Sequence, residues 1–517
     1  MLSGEHKLYR MPSLRPVARI ALCLLLTGCA QKAPSPKPKP KPQAAEPSPI
    51  PVASIDQPVV DVPLDLRWLL IGGGADPLSN QVSLAQDVQF AQSVLGGRGL
   101  TLFASGPSAQ LAVDARAQHS PVLTLREHLA GLFGVPGALV TRYEPARLAI
   151  DGPATRDQVL SAIQAALVPG EGPLLVYATC HGDRGTAPRE NSLSLWGGQS
   201  LQVAELAKVL EQEATRRSVR LVITSCYGGG FADLIFRTGD ETRGLGTVDQ
   251  CGLFAAPWDD EASGCDPNPD RRAQESYAIH FWHALLGEDR QQQSRAKDID
   301  LDADGTIGLL EAHTWARIHA ASFDVPTNTS ERYLRKFAPG EGKVALDAVA
   351  APEEVAVIRA LGAKLELDTE QAARDKLAEI DQTLAEVAEL VEQAQAVEDD
   401  AYQALRIGLL ERWPLLEHPW EERTQRLLSK KGPEILRMLT SSSLAESHAG
   451  ALRDLDELTI QHDGARVERA RVLRLVQAFE TLRLATALKS KGGPGWERYE
   501  RIRRCERWAP VLKRDRR

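Results

Sequence analysis

Two short runs constrain what this chain can fold into more than anything else in it. Residues 174–185 read LLVYATCHGDRG and residues 221–231 read LVITSCYGGGF. Each begins as a continuous apolar stretch, rich in β-branched residues and of strand length. That is the pattern of a strand buried on both faces. Each then breaks off into polar and glycine residues, the first at His181 and the second at Cys226. An imidazole and a thiol at the tips of two buried strands are the groups that a cysteine nucleophile and its base require.

The neighbouring segments supply the partners such strands need. Residues 66–74 (LRWLLIGGG) read as a first buried strand ending in a glycine turn, and residues 99–104 as a second. Between them Leu84, Val88, Ala91, Val94 and Leu95 recur at helical spacing. Residues 107–149 carry no clear period and read as an insertion or a long loop. A helix is predicted over 155–167 with Thr155 as its cap, another over 203–210, and a short one starting near Phe231. Residues 251–256 (CGLFAA) read as a strand and 274–286 as a helix. Strands alternating with helices predict an α/β fold, a mostly parallel sheet with helices on both faces. In such sheets ligands bind at the carboxyl ends of the strands, where His181 and Cys226 are expected.

With 517 residues the chain is too long for one ordinary domain, and its 43% hydrophobic content can fill a sizeable core. The net charge of -8 and a pI near 5.9 give no electrostatic argument for a nucleic-acid partner. Beyond the N-terminus there is no apolar run of the roughly 18 residues a membrane helix needs. From about Ala351 the character changes. Leu377, Ile380, Leu384, Val387, Val391 and Ala394 step by three and four, and that helix is expected to stop near Pro414. A second long helical stretch spans 451–489, with Val472, Val476 and Phe479 on one face. The division expected is an α/β part over 61–345 and an α-helical part over 346–517, the latter an antiparallel hairpin or small bundle. The seam is short for a free-standing zipper, so plain helix packing is preferred to a dimerising coiled coil; binding a partner is the other use open to these helices.

The first residues are an address. Arg15 and Arg19 precede an apolar run, 20–26, and small residues follow, which makes a secretory signal over 1–28. Met11 opens a complete signal by itself. Leu26-Thr27-Gly28-Cys29 resembles a bacterial lipobox, which implies cleavage before Cys29, acylation of its thiol and a stable lipid anchor. An uncleaved signal anchor and an unmodified secreted protein are the alternatives. Residues 29–60, rich in Pro and Lys, read as an extended tether. The location expected is the cell envelope outside the cytoplasm, anchored by lipid, in the outer membrane.

An apolar strand ending in His-Gly, followed by an apolar strand ending in Ser-Cys with small residues after it, resembles the caspase-like clan of cysteine peptidases. LLVYATCHG and RLVITSCYGGGFAD are most similar to its legumain-like bacterial branch. The resemblance covers residues 66–323 and implies a caspase–haemoglobinase sheet and hydrolysis of a protein or peptide substrate through a thioester. It implies His181 as general base and Cys226 as nucleophile. The amides of Gly182 and Cys226 become oxyanion donors, and Asn80, in IGGGADPLSNQVSLAQD, the support of the histidine. The sequence departs from the pattern at Cys180, where these relatives usually carry an acid; strand alternation turns that side chain into the core or to the far face. Asp183, Asp259, Asp260 and Glu261 are candidates for a pocket taking a basic P1 side chain, or plain solvated loop acids. The reading from a different class is a catalytically inactive envelope scaffold.

Two features stand apart from the dyad. Of the 7 cysteines, Cys180, Cys251, Cys265 and Cys505 have no role in it, and export permits disulfides. Cys251–Cys265 is one candidate pair, and buried free thiols are the other reading. Residues 300–311, DLDADGTIGLLE, follow the EF-hand loop pattern. Asp300, Asp302, Asp304 and Glu311 would bind Ca2+ by side chain and Thr306 by its carbonyl. A helix predicted over 309–321 follows, but the segment before the loop is a poor entering helix. Helix capping by the same acids is the alternative. No cofactor is needed for the cysteine chemistry itself.

Overall fold

The computed structural model describes residues 60–513 apart from 61, 64, 116–122, 135–139, 168–171, 213–216, 247–249 and 340–346. Cys29, the signal and nearly all of the tether lie outside the described residues. The order of elements begins with β1 (Trp68–Gly73), α1 (Val82–Val94), β2 (Gly99–Phe103), β3 (Gln110–Asp114), α2 (Leu125–Phe133), β4 (Thr141–Pro145) and α3 (Arg156–Ala166). It continues with β5 (Leu174–Cys180), β6 (Gly182–Asp183), β7 (Ser192–Leu195), β8 (Gln199–Gln202), α4 (Val203–Gln212), β9 (Val219–Ile223) and β10 (Gln250–Phe254). The α/β part closes with α5 (Tyr277–Leu285), α6 (Ala296–Ile299), α7 (Leu309–His319), β11 (Thr327–Asn328) and α8 (Thr329–Phe337). Five helices follow: α9 (Pro352–Leu365), α10 (Glu370–Arg412), α11 (Glu422–Ser441), α12 (Ser443–Lys491) and α13 (Gly493–Glu506).

The central sheet has six strands in the order β11-β10-β9-β5-β1-β2. All neighbours are parallel except β10 and β11. Every residue of β5 is buried, as its unbroken apolar run requires. Its side chains alternate between two cores. Leu175 and Tyr177 join Val222 of β9 against α1, α5 and α7, while Val176, Ala178 and Cys180 join Leu221 and Ile223 against α3 and α4. Each fully buried aliphatic side chain there contributes about 1.5–3 kcal/mol of transfer free energy. The chain runs from β1 outward to β2, then crosses to β5 on the other side. The order of the sheet therefore reverses between β1 and β5, and the crevice at their carboxyl ends is where an open α/β sheet binds ligands.

Residues 107–149 form an insertion. Within it β3 and β4 pair antiparallel, and α2 carries a capping box between Thr124 and Glu127. Thr155 does stand at the N-cap of α3, but its side chain makes no capping hydrogen bond. The helical region packs as an antiparallel pair. Ile380 of α10 meets Val472 and Val476 of α12, and Leu405 and Leu409 meet Ala445 near the start of α12. Thr369 and Ser442 cap the two long helices with their side chains.

This region is bound closely to the sheet. Arg317 of α7, fully buried, donates to both oxygens of Glu354 of α9 at 2.8 and 2.9 Å. Removing Arg317 would strip the buried Glu354 carboxylate of both hydrogen bonds, at a cost of about 3–5 kcal/mol, whereas Arg317 keeps a second buried carboxylate, Glu331, at 3.6 Å. A disulfide joins Cys251 of β10 to Cys505 of α13 across 254 residues. This corrects the Cys251–Cys265 pairing considered from the sequence: Cys251 lies on the strand side facing α13, and Cys265 is a free thiol elsewhere. In the chain-entropy picture, closing so long a loop removes about 5 kcal/mol of freedom from the unfolded chain. No helix among the described residues is long and apolar enough to cross a membrane.

Candidate active site

The turn after β9 carries Cys226. The residue with a left-handed backbone is Tyr227, at φ 59° and ψ 13°, and not one of the three glycines after it. A side chain in that region costs about 1–2 kcal/mol, and such strain persists only where the surroundings hold it. They do so here. The Tyr227 amide donates to the carbonyl of Asp260 at 2.9 Å, and the Tyr227 carbonyl accepts from Nδ2 of Asn191 at 3.0 Å. The glycines serve close approach instead. A Cβ at Gly229 would stand 2.7 Å from the Ala256 carbonyl oxygen, and one at Gly230 would stand 2.7 Å from that of Pro188.

The exit of β5 meets this turn directly. A Cβ at Gly182 would lie 2.1 Å from the carbonyl oxygen of Cys226, so only glycine fits between the two backbones. Among the described residues no hydrogen bond engages the Cys226 amide, which leaves it available to an oxyanion. Asn191, 1% exposed, ties the surrounding loops together. Its Oδ1 accepts from the Gly185 amide at 2.9 Å, and its Nδ2 donates to the carbonyls of Tyr227 and Trp258.

Nε2 of His181 sits 2.9 Å from two acceptors, the Ser79 carbonyl and Oε1 of Gln81. A nitrogen between two acceptors must carry a proton, so Nδ1 is the basic nitrogen of the neutral ring. Asn80 does not support the histidine. It is fully buried and turned the other way, with Oδ1 accepting from the Gly74 amide at 3.0 Å and Nδ2 donating to the Gln110 carbonyl at 2.6 Å. Gln81 is extended, at φ −65° and ψ 150°, and in extended backbone adjacent side chains oppose. The support therefore comes from the residues on either side of Asn80.

Nδ1 of His181 faces Sγ of Cys265 at 3.5 Å. Sγ of Cys226 instead touches the Ala262 amide at 3.4 Å and the Ala262 carbonyl at 3.5 Å. Burial pushes the Cys226 thiol up to about 12, with Cys265 and Glu261 adding to the rise and the Ala262 amide opposing it. Burial likewise pushes Cys265 up to about 12. At neutral pH both are thiols. Cys180 is buried, is also pushed up to about 12 by burial, and has Sγ 3.5 Å from Oγ of Ser225; it faces α3 and α4 and not the cleft.

The acids near the site differ in setting. Asp183 Oδ2 accepts from Oγ of Ser194 at 2.7 Å. It lines an open groove of about 620 Å3 together with Arg184, Arg189 and Glu190, beginning one residue beyond Gly182. Glu261 pairs with Arg466 of α12 at 3.2 Å, and Asp260 lies 4.0 Å from Arg469. Asp259 is exposed.

Away from the cleft, the carboxylates of Asp300, Asp302 and Asp304 gather within 4.8 Å of one another, and Gly305 takes φ 83° as the loop turn requires. Glu311 is not among them. Its two oxygens accept from the amides of Leu301 at 2.7 Å and Gly308 at 2.9 Å, and it begins α7 as a capping group. Thr306 donates its amide to Oδ1 of Asp304 at 2.7 Å. The entering helix α6 is one turn long. Three of the expected Ca2+ ligands converge, and the fourth carboxylate is committed to the backbone.

No family model matches the chain, and no curated protein matches it. Its structure is that of an α/β protein with a mostly parallel six-stranded sheet, flanking helices and a long helical C-terminal region.

Proposed function

We propose that this protein is a cysteine endopeptidase of the caspase-like clan, held outside the cytoplasm by a lipid on Cys29. The observation that carries the reading is the meeting of the β5 and β9 ends. There Gly182 packs on the backbone of Cys226, and His181 presents a basic Nδ1 on the same crevice. In this reading Sγ of Cys226 leaves Ala262 as a peptide enters and gives its proton to Nδ1 of His181. The thiolate attacks the peptide carbonyl, and the amides of Cys226 and Gly182 receive the oxyanion. The imidazolium returns its proton to the leaving amine, and water then hydrolyses the thioester. Unliganded catalytic contacts are commonly longer than those of the working complex. The groove that starts at Asp183 would take the peptide. The Asp300–Asp302–Asp304 cluster is a candidate Ca2+ site for this enzyme, and the helical region a candidate surface for a partner.

The second reading is a non-catalytic envelope scaffold. It is favoured by one observation, that Nδ1 of His181 faces Cys265 and not Cys226. A peptidyl acyloxymethyl ketone separates the two. Covalent labelling of Cys226 and loss of peptide cleavage in Cys226→Ala are expected of the enzyme. A folded wild type that neither labels nor cleaves a peptide library would refute it.

A further inference from the structure

The loop 262–265 touches both members of the dyad. Its Ala262 backbone cradles Sγ of Cys226, and its Cys265 Sγ lies against Nδ1 of His181. What holds this loop is Asp324, which is fully buried and lies just after α7. Oδ1 of Asp324 accepts from the Ser263 amide at 2.5 Å, and Oδ2 accepts from the Ser263 hydroxyl at 2.7 Å. Oδ2 also accepts from the Tyr277 amide at 2.8 Å and the Ser322 hydroxyl at 2.7 Å.

Asp324 is itself held from the C-terminal region. Arg474 of α12, also fully buried, spends its guanidinium on four backbone carbonyls. Nε donates to Asp324 at 2.7 Å, Nη1 to Arg317 at 3.1 Å and Ala320 at 2.8 Å, and Nη2 to Ser322 at 2.8 Å. A planar five-donor fork fixes the turn that presents the carboxylate.

We propose that Asp324 is a positioning residue, which locks the 262–265 loop so that thiol and imidazole stay in register, and that Arg474 makes α12 part of that lock. The inference rests on the reading of Cys226 and His181 as nucleophile and base. The helices then belong to the machinery of the site, and their contribution is to order it. Ser263 is the hinge pin, since both its amide and its hydroxyl end on Asp324.

The test uses the whole chain with Asp324→Asn and, as the milder change, Ser263→Ala. Two reagents are compared on Cys226 by mass spectrometry, with thermal unfolding as the check on folding. Iodoacetamide needs only an accessible thiolate, whereas a peptidyl acyloxymethyl ketone needs the assembled dyad, so the two are compared at one fixed pH. Asp324→Asn is expected to raise the iodoacetamide rate about tenfold and to lower the ketone rate about 10- to 100-fold, because displacements near 1 Å cost that much at a reacting centre. Ser263→Ala is expected to raise the iodoacetamide rate and lower the ketone rate as well, each by a smaller factor. A folded Asp324→Asn with both rates unchanged, or with both moving in the same direction, overturns the lock. If Asp324→Asn does not fold, an unchanged ratio in Ser263→Ala overturns it. If the wild type never reacts with the ketone, the peptidase reading fails by itself. The lock is then decided by iodoacetamide alone, a rise supporting it and no change rejecting it.

Discussion

The contact between Gly182 and Cys226 makes Gly182→Ala the sharpest perturbation of the site. The new Cβ would begin 2.1 Å from the Cys226 carbonyl oxygen, where ordinary contact starts at 3.4 Å. The two strand ends must therefore part by about 1.3 Å, and a displacement of that order at a reacting centre is worth roughly 100-fold in rate. Gly182 is half-buried, and the stability cost is that of overpacking two touching backbones, about 1–3 kcal/mol. A chain with the usual stability of roughly 5–15 kcal/mol stays folded. The expected result is thus a folded protein whose kcat/KM on a peptide substrate falls at least about 100-fold, with a modest drop in Tm. Gly464→Ala serves as the control. It lies within α12, and a Cβ there would meet nothing within 4 Å. It should raise stability by about 0.5–1 kcal/mol and leave activity alone. Full activity in Gly182→Ala would refute the claim that the two backbones must touch for the site to work.

Other outcomes follow from the same geometry. With the Cys226 thiol pushed up to about 12 in the free protein, its alkylation by iodoacetamide should be slow at pH 7 and still rising above pH 10; a plateau near pH 8.5 or below would contradict this burial. Cys505→Ser should lower stability by about 2–5 kcal/mol, read by denaturant unfolding. Without reduction, a chain nicked near residue 345 should run at full size on a gel, because Cys251–Cys505 spans the nick. Calorimetry with Ca2+ should give heat in the wild type and none in Asp300→Ala; no heat in the wild type ends the calcium reading.

The strands around the site were legible because burial on two faces leaves an unbroken apolar signature, as in residues 174–180. The long helices were legible because seams such as Leu377–Ile380–Leu384 repeat at helical spacing. What escaped was held by single polar residues that join distant segments. Asn191 sits in an ordinary polar stretch before β7, and only its place among three loops gives it meaning. Asp324 and Arg474 are 150 residues apart, and no spacing rule connects them. Asn80 was the nearly right choice. One residue of extended chain reverses a side chain, so it is the Gln81 side-chain amide that meets the histidine, joined by the backbone carbonyl of Ser79. The glycine run after Cys226 suggested the sharp turn, yet Tyr227 takes the left-handed backbone, which composition would never nominate.

The Cys251–Cys505 bond also sets a problem of order during folding. Cys251 lies only about 14 residues from Cys265 but 254 from its true partner, so an open chain favours the short loop by roughly 2–3 kcal/mol of closure entropy. That early pairing would consume the thiol beside His181 and leave Cys505 orphaned. The native bond becomes the better one only after β10 has joined the sheet and α13 has docked on it. Oxidation that runs ahead of docking would therefore yield a misbridged form. Thiol exchange that allows the bridge to migrate should raise the yield of the correct one.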